Sequence, residues 1–177
     1  MGKICVQAPV KLVTSIIFND EKAAEEAEKK LCKLFGKKEA LEKVLPFDLT
    51  DYYSKEMGKD LKRKLICFEK LAEKEGIYDI KIRTNRIEDL FSQNGKRKVN
   101  IDPGYVTEAK LVLLTTKDYT HRIHIGRGIF AESTLCFKDG AFGSWSWSYP
   151  DYASEAMRDY FKEVRTLYVK QMKKRSE

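Results

Sequence analysis

Residues 10–18, VKLVTSIIF, decide the fold. A nearly continuous apolar and β-branched run after Pro9 is the pattern of a strand covered on both faces, since a strand with one wet face alternates. Such a strand is expected in the middle of its sheet. The next segment is helical: Ala23, Ala24, Ala27, Leu31, Leu34 and Phe35 recur at helical spacing, with Asp20 able to cap the start and Gly36 able to end it. The junction, Asn19-Asp20-Glu21, is acidic and lacks glycine, so it is not a glycine-rich phosphate loop.

Working outward, residues 41–47 read as a second strand, and Pro46 suits an edge or a strand end. A third strand is expected over 64–70. Gly76 breaks the chain before 77–91, where Ile80, Ile87, Leu90 and Phe91 sit at helical spacing and Asn85 with Glu88 has the spacing of a capping box. SQNGKRK at 92–98 reads as a solvated turn. Strand-helix-strand-strand-helix-strand up to Ile101 is the order of a ferredoxin-like α+β unit. After Tyr105 the pattern becomes an antiparallel β-meander over 106–116, 121–125, 129–137 and 141–147. The last two runs are joined by Asp139-Gly140, a strong hairpin signal because both residues tolerate positive φ. A C-terminal helix is expected from about Ser154 to Lys173, and the whole of 1–177 is read as one domain.

The chain has 177 residues, 42% of them hydrophobic, and a net charge of +7 from 34 Lys and Arg against 27 Asp and Glu. That field favours anionic partners, while a surface rich in Lys and Glu also suits a heat-adapted protein with ion-pair networks. Cys5, Cys32, Cys67 and Cys136 form no CxxC pair, which argues against a zinc ribbon or a redox motif and for reduced thiols. With no signal-peptide core and no apolar run of membrane-spanning length, a cytoplasmic protein without membrane attachment is expected. The oligomeric state cannot be read from the sequence.

Four separated segments carry a resemblance: FDLTDYYSKEMG at 47–58, VNIDPGY at 99–105, TTKDYTHRI at 115–123 and YPDY at 149–152. Together they resemble the prokaryotic family known as domain of unknown function 4416, over nearly the whole chain. The resemblance implies no established activity, although many members carry the label GTP-binding protein. The residues argue against a P-loop GTPase. GxxxxGK[ST], whose amides and lysine hold the phosphates, is absent; Thr116-Lys117-Asp118 has its aspartate one place too early for a guanine-reading motif; and Asp102-Pro103-Gly104 is not DxxG.

The expected site is a pocket for a small phosphorylated ligand such as a nucleotide, held between residues 100 and 132 with the loop at 51–53 opposite. Asp51, Tyr52, Tyr53, Asn100, Asp102, Tyr105, Lys117, His121 and Arg122 are the binding candidates. The 51–53 loop and the 100–105 turn are expected to face one cleft, because both are dense in polar and aromatic groups. Arg122, with Lys117 and a histidine, is expected to take the anion, since a guanidinium can hold a phosphate in bidentate fashion. An ion pair from Arg122 to Asp118 or Glu132 is the competing expectation. Glu132 interrupts an otherwise apolar strand, so either a cation or metal meets it inside or it faces solvent at an edge. For catalysis the candidates are His121 or His124 as acid or base, with Asp118 or Glu132 as partner. The two histidines, three apart on an expected strand, point to opposite faces and share no metal. Mg²⁺ could accompany a nucleotide through Asp102, Asp118 and Glu132. Trp145, Trp147, Tyr149 and Tyr152 form an aromatic cluster, read as the wall between sheet and final helix or as a base-stacking surface. The alternatives in function are an RNA- or DNA-binding module and a scaffold without chemistry of its own.

Overall fold

The computed structural model describes residues 2–4, 6–50 and 52–176. In chain order the elements are β1 (Val10–Phe18), α1 (Glu21–Phe35), β2 (Lys38–Pro46), α2 (Ser54–Met57), β3 (Lys62–Ala72), α3 (Tyr78–Leu90), β4 (Ser92–Gln93), β5 (Lys96–Arg97), β6 (Val99–Val106), β7 (Lys110–Thr115), β8 (Ile123–Gly126), β9 (Ile129–Lys138), β10 (Ala141–Ser144) and α4 (Glu155–Ser176). Eight strands make one antiparallel sheet in the order β10-β9-β7-β6-β1-β3-β2, with β8 on β9; β4 and β5 form a separate hairpin. The chain is therefore α+β, with an antiparallel sheet and a C-terminal helix.

β1 is central, as its apolar run requires, and every one of its residues is buried. Alternation gives the sheet two faces. Leu12, Ile16 and Phe18 of β1, with Ile66, Phe68, Val99 and Ile101 of its neighbours, meet Ala23, Ala24, Ala27 and Leu31 of α1 and Ile87 of α3. On the other face Val13, Leu65, Cys67, Val106, Leu111, Leu113 and Leu135 meet Met157, Tyr160, Phe161 and Val164 of α4. Leu31 is 0% exposed, so Leu31→Ala would cost about 2–5 kcal/mol. Asp20 caps α1, its carboxylate accepting from the Ala23 amide. That bond is the main reason its pKa falls below the usual carboxylate value. The helix N-terminus is thus occupied by the chain's own acid rather than open to a phosphate.

The expected boundaries shift in three informative places. The 77–91 helix starts at Tyr78, not at the Asn85 box: Glu88 holds Arg97 and the Ile101 amide instead of closing a cap. SQNGKRK is the β4–β5 hairpin, turning on Asn94 and Gly95 at φ 52 and 72, a pair that accepts two left-handed residues. The 100–105 segment is no turn but most of β6, because β1 offers it a full antiparallel edge from Lys11 to Phe18. The Asp139-Gly140 turn is present as expected, with φ 52 and 83.

β6 and β7 pair only at Gly104–Leu113, Tyr105–Val112 and Val106–Leu111, and beyond Gly104 they part. Pro103, the next residue of β6, has no N–H to give to a neighbouring strand. Leu114 and Thr115 continue with β9 alone. The freed backbone of Ile101 is satisfied from α3: its N–H donates to Glu88 Oε1 at 2.7 Å and its carbonyl accepts from Lys81 Nζ at 2.8 Å. A gap flanked by buried charges is the result. No described helix is long and apolar enough to cross a membrane.

Candidate functional site

A cavity of about 590 Å³ opens where β6 and β7 part. Its floor is the face of the sheet that α4 leaves uncovered, carrying Arg63 on β3 and Asn100 and Asp102 on β6. Lys81, Asn85 and Glu88 reach it from α3, and Leu113, Leu114 and Thr115 from β7. Phe47, Tyr52 and Tyr53 come from the segment after β2; Lys117 and Arg122 from the segment after β7; Glu132 from β9; Tyr149 and Tyr152 from the segment before α4. A larger hollow of about 740 Å³ beside β2 is lined by Val44, Pro46, Lys59, Asp60 and Lys62. The charged residues around that hollow are all exposed, so it lacks the convergent polar groups of a built site.

Most charges in the first cavity are already matched. Arg97 grips Glu56 with Nε at 2.7 Å and Nη2 at 2.9 Å, while Nη1 donates to Glu88 at 3.0 Å and to Asn100 Oδ1 at 2.7 Å. The hydrogen bond from Arg97 holds the Glu56 carboxyl below the usual value, and Arg97 is correspondingly held charged. Arg63, 4% exposed, donates to Ser15 Oγ at 2.8 Å and Tyr152 Oη at 3.0 Å, and its Nη2 lies 2.6 Å from Asp151 Oδ2. Its guanidinium stands over the rings of Phe47 and Tyr152, at 4.8 and 4.9 Å from their centroids. Glu132, 2% exposed, accepts from Arg122 Nε at 2.7 Å and from Thr134 at 3.0 Å, and meets His121 Nε2 at 3.2 Å. A buried carboxylate needs such partners. The edge-of-sheet alternative for Glu132, facing solvent, is overturned.

Two phenols paired with cations complete the lining. Lys117 Nζ donates to Tyr52 Oη at 2.6 Å, and Arg122 Nη2 donates to Tyr149 Oη at 2.6 Å. Burial raises the Tyr149 pKa, so its phenol stays protonated at neutral pH. Arg122 has five N–H donors, and its bonds to Glu132, the Lys117 carbonyl and Tyr149 use three.

Tyr52, Tyr53, Asn100 and Asp102 thus line one cavity with Lys117 and Arg122. Asp51 lies outside the described residues. Tyr105 is turned to the other face of the sheet and packs with Val10, Ile77 and Leu114, because it alternates with Asp102 and Gly104 along β6. Asp118 is exposed and does not line the cavity. His121 sits in the turn before β8, behind Glu132, with its ring stacked on Trp147 at 5.5 Å. His124 is exposed on β8 and accepts from the Gly128 amide at 3.3 Å. Asp102, Asp118 and Glu132 therefore do not converge, and among the described residues no three His, Cys, Asp or Glu gather to hold a metal ion. The aromatic cluster divides: Tyr149 and Tyr152 both line the cavity, Tyr152 being also buried against α4, and Trp145 and Trp147 stack on each other, each 40% exposed.

The family model for Domain of unknown function (DUF4416) matches residues 8–168. The chain belongs to the DUF4416 family. The match runs from before β1 into α4, so it takes in every residue that lines the cavity of this DUF4416 protein. No curated protein and no solved structure matches it.

Sequence reasoning misses Arg63, Lys81 and Arg97 in this DUF4416 site. Arg63 stands at the basic start of a strand, and Arg97 among three cations of a turn that reads as solvated. Lys81 lies on a helix and Arg97 on a two-residue hairpin strand, so neither carries the signal that singles out Glu132, a charged residue at an inward position of an otherwise apolar strand. Lys11 carries the same signal for a structural reason. It is 0% exposed and bonded to Glu39 and Gln171, tying β1 to β2 and α4.

Proposed function

We propose that this DUF4416 protein binds a small phosphorylated ligand of nucleotide size in the cavity between β6 and β7, without a P-loop. One observation carries the reading: two cation–phenol pairs, Lys117–Tyr52 and Arg122–Tyr149, stand on the same cavity. A phenol that accepts from a cation keeps its own O–H free to donate. The wall therefore presents an ammonium, two unused guanidinium N–H groups and two phenol O–H groups. Donors of this kind, two of them charged, complement an oxyanion. Tyr53 and Phe47 add apolar surface for a ring, and the volume suits a small ligand. Arg122 acts here as a donor anchored by Glu132 rather than as a free bidentate fork.

Thermal-shift measurement with nucleoside mono- and triphosphates, with and without Mg²⁺, tests the reading. A ligand that binds only the native state raises Tm with concentration. Tyr149→Phe should weaken that response about tenfold, the order of one charge-polarised hydrogen bond. A panel with no response on the wild-type chain rejects the proposal.

The exposed Trp145–Trp147 stack, at 5.2 Å between centroids, favours one second reading, the binding of single-stranded RNA or DNA by base stacking. Affinity for random oligonucleotides that falls steeply with salt would support it, and no binding at low salt would remove it.

A further inference from the structure

Five carboxylates line the cavity, and one of them, Asp89, is exposed to solvent. Glu88 pairs with Arg97 at 3.0 Å and Lys81 at 3.6 Å, Glu132 with Arg122 at 2.7 Å, and Asp151 with Arg63 at 2.6 Å. Asp102 is half-buried on the floor and, among the described residues, forms no ion pair; its hydrogen bond is from Asn100 Nδ2 at 2.9 Å. Arg63 feels its charge, but Arg63 spends its own contacts on Asp151, Ser15 and Tyr152. Asp102 also lies close enough to Tyr53, Tyr149 and Tyr152 to act on each of their titrations. A carboxylate has about four lone-pair directions, and Asn100 fills one.

Packing does not explain an acid at this point. Residue 102 stands on the sheet face that carries Ser15 beside it and Leu65 one strand further, where a small apolar side chain would fill the space at lower desolvation cost. Buried charge is ordinarily paired. Here Asp102 receives one hydrogen bond, from Asn100, and Arg63 acts on it through charge without an ion pair, while Lys117 and Arg122 of the same cavity present N–H donors beside the Glu132 carboxylate that anchors Arg122. No ion pair among the described residues joins Asp102 to either cation, so the acid and the two cations do not neutralise one another by direct contact.

We infer that Asp102 is the acceptor for a protonated amine or amidine on the ligand, which makes the ligand of this cavity a zwitterion: an oxyanion at Lys117, Arg122 and Tyr149, a nitrogen cation at Asp102, and an apolar body between them. This rests on the phosphate-binding reading above and narrows it. The amine is held by a charge-assisted hydrogen bond that no nucleoside phosphate lacking a cationic group can make in full.

The test uses two probes of one shape, phosphotyramine and para-ethylphenyl phosphate, which differ by the ammonium group. Binding to the full chain is measured by calorimetry or thermal shift beside the nucleotide panel. Phosphotyramine should bind about tenfold more tightly, the order of a hydrogen bond to a charged group. Asp102→Asn, which keeps shape and removes charge, should erase that preference by weakening phosphotyramine, with para-ethylphenyl phosphate bound no more weakly than by the wild-type chain. Equal binding of the two probes by the wild-type chain overturns the role of Asp102 and leaves phosphate binding standing. So does a response to nucleotides with none to either probe. Silence from every phosphate overturns both. If Asp102→Asn does not fold, the wild-type preference between the two probes decides alone.

Discussion

Arg122 Nε donates to Glu132 Oε2 across 2.7 Å, and the two side chains are 8% and 1% exposed. Of the two roles open to Arg122, the contact with Glu132 is therefore built into the fold. The same guanidinium ties the Lys117 carbonyl and Tyr149 to β9. Arg122→Ala leaves Glu132 with Thr134 and a histidine that carries charge only when protonated. The expected loss of stability is about 3–5 kcal/mol, the cost of orphaning one member of a buried pair. Arg122→Lys keeps the charge but not the three-way geometry and should recover less than half of that loss. Urea denaturation measures both. A change for Arg122→Ala near about 1 kcal/mol, typical of a surface pair, would return Arg122 to a purely ligand-binding role.

Acid should act through a different pair. The Arg97 hydrogen bond lowers the folded-state pKa of Glu56 below its unfolded value of 4.5. A depressed carboxylate adds stability above the unfolded pKa, and that stability is lost as pH falls through the folded value. Wild type should therefore exceed Glu56→Gln in Tm at pH 7, with the gap constant down to about pH 5 and closing below 4.5. Melting curves from pH 7 to 3 check it. A gap independent of pH would mean that Glu56 contributes through shape and not through charge.

The range of each interaction decides how much of it is legible in the sequence. β1, α1 with its Asp20 cap and the Asp139-Gly140 turn are legible because the decisive contacts lie within a few residues of one another. Glu132 stands out because a carboxylate breaks an apolar run, and Tyr52, Tyr53, Asn100, Asp102, Lys117 and Arg122 stand out by density in their segments. Arg63 does not, because its burial depends on Tyr152, 89 residues later. Arg97 sits between two exposed lysines, and its selection comes from Glu56, 41 residues earlier. Tyr105 is misplaced for want of one fact, that residues 100–105 are strand. Once β6 is a strand, alternation alone turns Tyr105 away from Asp102.

The parting of β6 and β7 begins at Gly104, and that residue gives the last prediction. Gly104 is not among the residues of positive φ, so its role is space rather than backbone freedom. It faces Leu113 across the last paired register. A Cβ there would collide with the Val112 carbonyl oxygen and come within 2.8 Å of Leu113 Cδ2. The first of these is backbone and cannot rotate aside, so Gly104→Ala must push β7 outward. Overpacking of this kind costs about 1–3 kcal/mol. Because Leu113, Leu114 and Thr115 of β7 line the cavity, the same displacement should widen it and weaken any phosphate response seen by thermal shift. Pro103→Ala is the control: it restores an N–H without adding bulk toward β7, and should lower Tm less than Gly104→Ala. Equal stability of Gly104→Ala and wild type would show that the two strands have slack at the point where the cavity opens, and that the close approach of Gly104 to β7 is not what fixes its width.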